Sequence, residues 1–184
     1  MSVPGDRITS DEFNSTCIVL LIAGHETTTH LIGNGMHLLL DHPDQMKKLR
    51  DDSSLIPNAV EEMLRIEPPV QFTARTALED FDFAGAKIKK DQLVMAVITS
   101  ANRDPDRYSG PEHFDVTRKD VDHIAFGYGI HLCLGMSLAR LESRIAFERL
   151  LSKFEVMNLA DQKVEYVQVP LNRGRQRLPV DFES

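Results

Sequence analysis

Residues Ala23 to His30 read AGHETTTH, a His-Glu pair, three threonines and a second His. A zinc-hydrolase helix writes this as HExxH, with the two His about 40° apart around the helix so that both imidazoles reach one ion. His25 and His30 stand five apart, about 140° around the helix, and cannot share a metal without unwinding it. A zinc hydrolase is therefore the weakest reading of this stretch. What needs explaining is Gly24 with Thr27, Thr28 and Thr29, poor interior helix formers in an otherwise apolar segment.

The most specific segment is FGYGIHLCLG, Phe126 to Gly135. Gly127 and Gly129 let the backbone turn tightly and approach a flat ligand, and Gly135 removes a side chain beside the thiol of Cys133. A helix is predicted to start directly afterwards. Its backbone N–H groups and positive dipole end would favour the Cys133 thiolate, which is a metal ligand.

The elements that must position these residues follow from spacing. Thr9 and Glu12 have capping-box spacing, and apolar or small residues at Cys17, Leu20, Leu21, Gly24, Thr28, Leu31, Ile32 and Leu39 recur at three and four. They predict one long helix from Ser10 to Leu40 with Cys17 as an inert buried thiol. DHPD starts a short charged helix through Asp51, and a further helix spans Pro57 to Ile66, stopped by Pro68 and Pro69. FTARTAL, FDFAGAKI and QLVMAVI read as a small sheet. Residues 102–122 read as an ordered irregular loop. The last long helix is expected from Leu134 to Lys153 with Leu134, Leu138, Leu141 and Ile145 as its stripe. The tail, VEYVQVPLNRGRQRLPVDF, reads as hairpin strands.

The chain has 184 residues, 42% hydrophobic and 27% charged, which suits one folded domain with a sizeable core. Lys and Arg number 21 against 28 Asp and Glu, a net charge of −7 that disfavours nucleic acid as a partner. The longest apolar run, CIVLLIAG, is far short of the roughly 20 residues of a membrane span. MSVPGDRITS is no signal peptide, so a cytoplasmic protein without a membrane partner is expected. The two cysteines, Cys17 and Cys133, form no CxxC motif and no disulfide framework.

The cysteine segment resembles the heme-binding signature of the cytochrome P-450 superfamily, the heme-thiolate monooxygenases: Phe-Gly-x-Gly-x-His-x-Cys-x-Gly is met at every position. Three further segments agree in order. EEMLR holds the family's Glu-x-x-Arg at Glu62 and Arg65. By spacing alone Glu61, at i−4 from Arg65, serves equally well, and the resemblance selects Glu62. PEHF offers His113 as the third member of that ionic network. AGHETT resembles the family's oxygen-binding helix.

The resemblance implies a mainly α fold with a small β region, corresponding to the proximal, C-terminal part of the family's fold. It implies a single partial domain over residues 1–184, with the N-terminal half, including the lid over the substrate, absent. The cofactor would be heme b, iron protoporphyrin IX. Cys133 would ligate the iron, within a loop of Phe126, Gly127, Gly129 and Gly135. Arg75 and His131 would hold the propionates, a carboxylate role that suits arginine. Ala23 and Gly24 would leave room for O2. Thr27 and Glu26 would form an acid–alcohol pair that relays protons. Val70, Gln71, Phe72 and Thr73 would touch a small apolar substrate. Electrons must come from outside, since no dinucleotide motif is present, and a ferredoxin or flavodoxin-type donor is implied. Arg140 and Arg144 are read as an ordinary solvated face ahead of a docking site for that donor. The alternative to a monooxygenase is a truncated, non-catalytic heme-binding fragment or one half of a split enzyme.

Overall fold

In a computed structural model the described residues are 7–160, 165–169 and 171–183. The long helix α1 runs over Ser10–Asp41, and Thr9 and Glu12 make the expected capping box. Helix α2 is Pro43–Asp51, with proline in the first turn where its missing N–H costs nothing. A short 3-10 turn leads into α3, Ile56–Ile66. Strands β1 (Phe72–Thr76), β2 (Phe81–Phe83), β3 (Ala86–Ile88) and β4 (Leu93–Val97) follow. The short α4 (Ile98–Ala101), the long α5 (Met136–Lys153) and strands β5 (Val156–Leu159) and β6 (Val180–Glu183) complete the order. The fold is mainly α with small β parts, as expected.

The β parts differ from one small sheet. Among the described residues there are three two-stranded antiparallel pairs, β1–β4, β2–β3 and β5–β6. FDFAGAKI is not one strand but a hairpin, because Ala84 and Gly85 both take positive φ (49° and 82°), the turn that matches the strand twist. The tail pairs partly as predicted: Tyr166 bridges Arg175, but β6 pairs with β5 rather than within the tail. Val164 and Pro170 of that predicted hairpin lie outside the described residues.

The core forms where α1, α3 and α5 meet, with Leu31, Leu39, Leu49, Ile56, Met63, Leu64 and Phe147 almost fully buried. Gly35 permits this approach: a Cβ there would lie 2.5 Å from the Met63 sulfur and 2.7 Å from the Phe147 ring. Two expectations about apolar faces fail. On α5 the buried positions are Ser143, Phe147 and Leu151, one per turn, while Leu134, Leu138, Leu141 and Ile145 are exposed. On α1 burial begins at Thr28, and Ile18 to Ile22 are exposed, as is Cys17, whose thiol is therefore not a buried one. Periodicity identifies an apolar face but not whether this chain covers it.

Residues 102–128 carry no strand or long helix yet are held firmly. Glu62 and Arg65 of α3 are fully buried and pair through two hydrogen bonds, 2.7 and 2.9 Å. Arg65 also donates to the carbonyl oxygens of Asn102 (3.0 Å), Pro111 (2.7 Å) and His113 (3.1 Å). Glu62 accepts from the Asp115 amide and from Arg118 Nε, both 3.1 Å. The third member of the network is thus Arg118. His113 enters only through its carbonyl oxygen, and its imidazole is exposed. A buried carboxylate facing one guanidinium has acceptor capacity left over, and a second guanidinium fills it with fixed charge where an imidazole would not.

Removing one partner of a buried pair leaves an uncompensated charge. Glu62→Ala is expected to cost about 3–5 kcal/mol, read from the urea midpoint and slope. His113→Ala should leave the midpoint where it is. Equal losses in the two variants would return the imidazole to the network.

Candidate functional site

The cysteine loop is built on two positive-φ glycines, Gly127 (76°) and Gly129 (71°), a conformation that L side chains adopt only with strain. Between them the chain reverses, so that the Cys133 N–H donates to the Phe126 carbonyl at 2.9 Å and Leu132 N–H to Gly129 at 3.0 Å. A 3-10 turn spans Gly129–His131. Helix α5 begins at Met136 with Gly135 as its N-cap, two residues later than expected for Leu134. Cys133 therefore stands before the first turn rather than in it. Its thiol is free and exposed, as are the His131 imidazole and the side chains of Tyr128, Ile130 and Leu134.

Phe126 anchors the loop at the edge of the core. The Arg140 guanidinium lies 4.6 Å above its ring. Arg140 is itself gripped by Glu61 through two hydrogen bonds of 2.8 Å. His123 reaches the same carboxylate at 3.2 Å. Burial alone would raise the Glu61 carboxyl, but the hydrogen bonds and charge of His123 and Arg140 outweigh it and hold the group at about 2. Arg65 thus takes Glu62, as the resemblance selected, and Glu61 faces a different side of α3. Arg140 is not the solvated cation expected of it, and Arg144 pairs with Glu148 on its own helix at 3.5 Å. Adjacent carboxylates on one helix are the sequence signal for Glu61, because the one not paired with Arg65 is left for another partner.

On α1, Ala23 and Gly24 are exposed and Glu26 and Thr27 half-buried. The Thr27 hydroxyl donates to the Ala23 carbonyl at 2.8 Å and not to Glu26, a local back-bond that competes with pairing of the two side chains. His25 is exposed and His30 buried, and among the described residues no group of three or more His, Cys, Asp or Glu is placed to hold a metal ion. Arg75, on the exposed part of β1, donates to Thr73 Oγ1 (2.9 Å) and the Ala74 carbonyl (2.7 Å). Val70, Gln71, Phe72 and Thr73 are half-buried. Gln71 N–H donates to the Leu171 carbonyl at 3.0 Å and Val70 bridges Asn172, so the 171–172 segment, expected in a tail hairpin, flanks them instead. No hydrogen bond joins Thr27, Arg75 and Cys133, which sit on three separate elements.

The family model described as Cytochrome P450 matches residues 2–168. The chain belongs to the cytochrome P450 family. It is 48% identical over 178 residues to the Biotin biosynthesis cytochrome P450 of Bacillus subtilis (strain 168), covering 97% of this chain and 45% of that protein. It is 46% identical to the Vitamin D(3) 25-hydroxylase of Pseudonocardia autotrophica, covering 96% of this chain and 44% of that one. Among solved structures, P450BioI in complex with hexadec-9Z-enoic acid ligated acyl carrier protein superposes with a TM-score of 0.94 at 48% identity. That match covers 98% of this chain and 47% of that one. The Bacillus subtilis 168 bacillaene polyketide synthase cytochrome P450 PksS also gives 0.94, at 39% identity, covering 100% of this chain and 48% of that one. The chain spans about half the length of the curated relatives it matches.

The P450 family implies heme, and the residues present suit it. Added Cβ atoms at Gly24, Gly129 and Gly135 would meet nothing within 4 Å, so no protein atom fills the space beside them. Cys133 is a free, exposed thiol. Among the described residues Arg75 has no carboxylate partner, and both of its hydrogen bonds are donated by Nη1, leaving Nε and Nη2 for another acceptor. One soft sulfur, a guanidinium and an exposed imidazole form the donor set that one iron and two carboxylates require. No helix among the described residues is long and apolar enough to cross a membrane.

Two outcomes follow. Both thiols of the folded P450 chain should react with a thiol reagent without denaturant, and a single reactive thiol would contradict the exposure of Cys17 or Cys133. Because Glu61 titrates below its ordinary value of 4.5, its stabilising contribution is complete above that value and is lost as pH falls toward about 2. The urea midpoint should drop across this window, and less steeply in Glu61→Gln.

Proposed function

We propose that this chain carries the iron-binding part of a heme-thiolate monooxygenase that inserts one oxygen atom of O2 into a small apolar organic substrate. The observation that carries the reading is the free, exposed Cys133 thiol on a loop closed by its own N–H to the Phe126 carbonyl. Cys133 would hold the iron of heme b, with Arg75 and His131 on the propionates. When bound, the heme supplies the O2 activation and oxygen transfer that no side chain can perform.

The chain's own residues do the rest. Phe126, Gly127, Gly129 and Gly135 shape the sulfur's loop. Ala23 and Gly24 keep the surface of α1 free of bulk. Thr27 holds a hydroxyl proton, released for relay when its bond to the Ala23 carbonyl opens, and Glu26 one residue away is the acid that resupplies it. Val70 and Phe72 offer apolar contact, while the Gln71 amide and Thr73 hydroxyl are engaged by Pro68 and Arg75, which favours an apolar substrate. Relatives named for a vitamin D3 hydroxylase, and one solved with a fatty acyl chain, are consistent with that class. Electrons would come from a ferredoxin or flavodoxin-type donor.

A second reading is favoured by a specific observation. Ile18 to Ile22 on α1 and Leu138, Leu141 and Ile145 on α5 are exposed, and the relatives hold about as much chain again. On this reading residues 1–184 form a partial domain that binds heme but turns over only with the remainder of the family fold on those faces. Reconstitution with hemin, reduction and addition of CO tests the shared core of both. A red-shifted thiolate Soret band, lost in Cys133→Ser, is expected. A spectrum indifferent to that substitution refutes the assignment of Cys133.

A further inference from the structure

Glu61 lies outside the iron-binding set, yet three N–H groups converge on its carboxylate and hold it well below the ordinary carboxylate range. Its two partners converge on one ring. Arg140 lies 4.6 Å over Phe126, and the His123 ring is 5.9 Å from it at a tilt of 48°. His123 also accepts the Ala125 N–H at 3.1 Å, which ties the backbone immediately before Phe126 to the same cluster. Phe126 in turn supplies the carbonyl that accepts the Cys133 N–H.

We infer that Glu61 is a positioning residue for the cysteine loop: through Arg140 and His123 it fixes Phe126, and through the Phe126 carbonyl it sets the direction of the Cys133 amide. The geometry leaves little else to do this. Gly127, next in the chain, has no side chain to hold the turn, and Tyr128, Ile130, Leu132 and Leu134 are all exposed. Phe126 is the one residue of the loop's first half seated at the core. Bidentate contact from a carboxylate with no freedom to leave α3 makes Arg140 a fixed plate rather than a swinging cation. The heme-thiolate reading is needed only for the consequence, that the hydrogen bonding around the sulfur, and with it the potential of bound iron, depends on a residue that never touches either.

The test is hydrogen–deuterium exchange on the heme-free 184-residue chain, comparing the native sequence with Glu61→Gln, Arg140→Lys and the double variant. Glu61→Gln removes a charged acceptor, and Arg140→Lys keeps a cation but loses the planar fork. Each is expected to raise exchange at the Cys133 amide roughly tenfold, the worth of a lost charge-assisted hydrogen bond. Amides in the middle of α3 and α5 should keep their protection, and the double variant should add little to either single one. Unchanged exchange at Cys133 overturns the inference, as does a rise spread evenly over α3 and α5, which marks a loss of global stability only. Should Glu61→Gln be recovered unfolded, Arg140→Lys decides the matter by the same two readouts. With hemin bound, the reduction potential of Arg140→Lys should shift from that of the native chain, and an unshifted potential removes the consequence while leaving the positioning. Failure of the thiolate spectrum would not alter the exchange result, so the two ideas fall separately.

Discussion

A guanidinium that keeps its proton at every accessible pH and has no exposed surface must direct each of its five N–H groups at a protein acceptor. Arg65 does so: two go to Glu62 and one each to the carbonyls of Asn102, Pro111 and His113. Those three carbonyls belong to a segment with no ladder of its own, so the charge in α3 does for it what a neighbouring strand does for a strand. The segment's other end is held the same way, by Asn58 on the carbonyls of Val116 and Arg118 and by Gln45 on the Val116 amide. Order in an irregular loop here comes from buried charged and amide side chains that take up its backbone groups.

This arrangement explains what could and could not be read from residues alone. Helices α1, α2 and α3 were legible within a residue or two, because capping residues and proline act locally. The identity of the third network member was not. His113 and Arg118 both stand near the end of the loop, and only the fold shows that the backbone of one and the side chain of the other point inward. The stripe on α5 failed for another reason. Leu138, Leu141 and Ile145 form a real apolar face, but burial needs a partner, and in this chain α1 and α3 cover the face of Ser143, Phe147 and Leu151 instead. Cys17 is exposed by the same logic, being on the part of α1 that precedes the packed segment.

The site divides similarly. The cysteine loop was legible because its glycines are required by backbone conformation, and Gly127 and Gly129 indeed take positive φ. Glu26 and Thr27 were legible as residue types, but the Thr27 hydroxyl donates to the Ala23 carbonyl, since a threonine in a helix finds the carbonyl one turn back closer at hand than a neighbouring carboxylate. The role of Glu61 was not legible, because spacing tests only its reach to Arg65, whereas its partners Arg140 and His123 are 79 and 62 residues away in sequence.

Adjacent residues on a helix point about 100° apart, and although spacing puts both Glu61 and Glu62 within reach of Arg65, the fold gives them different partners. Glu62 turns into the core and meets Arg65 and Arg118, while Glu61 turns toward α5 and meets Arg140 and His123. The first pair is fully buried, where removing a charge is costly and salt screens little. The second is partly exposed, with 38% of the Arg140 side chain accessible, so solvent and salt screen it more. One helix thereby holds both the irregular segment and the cysteine loop, the first through a fully buried ion pair and the second through a bidentate pair at the edge of the core.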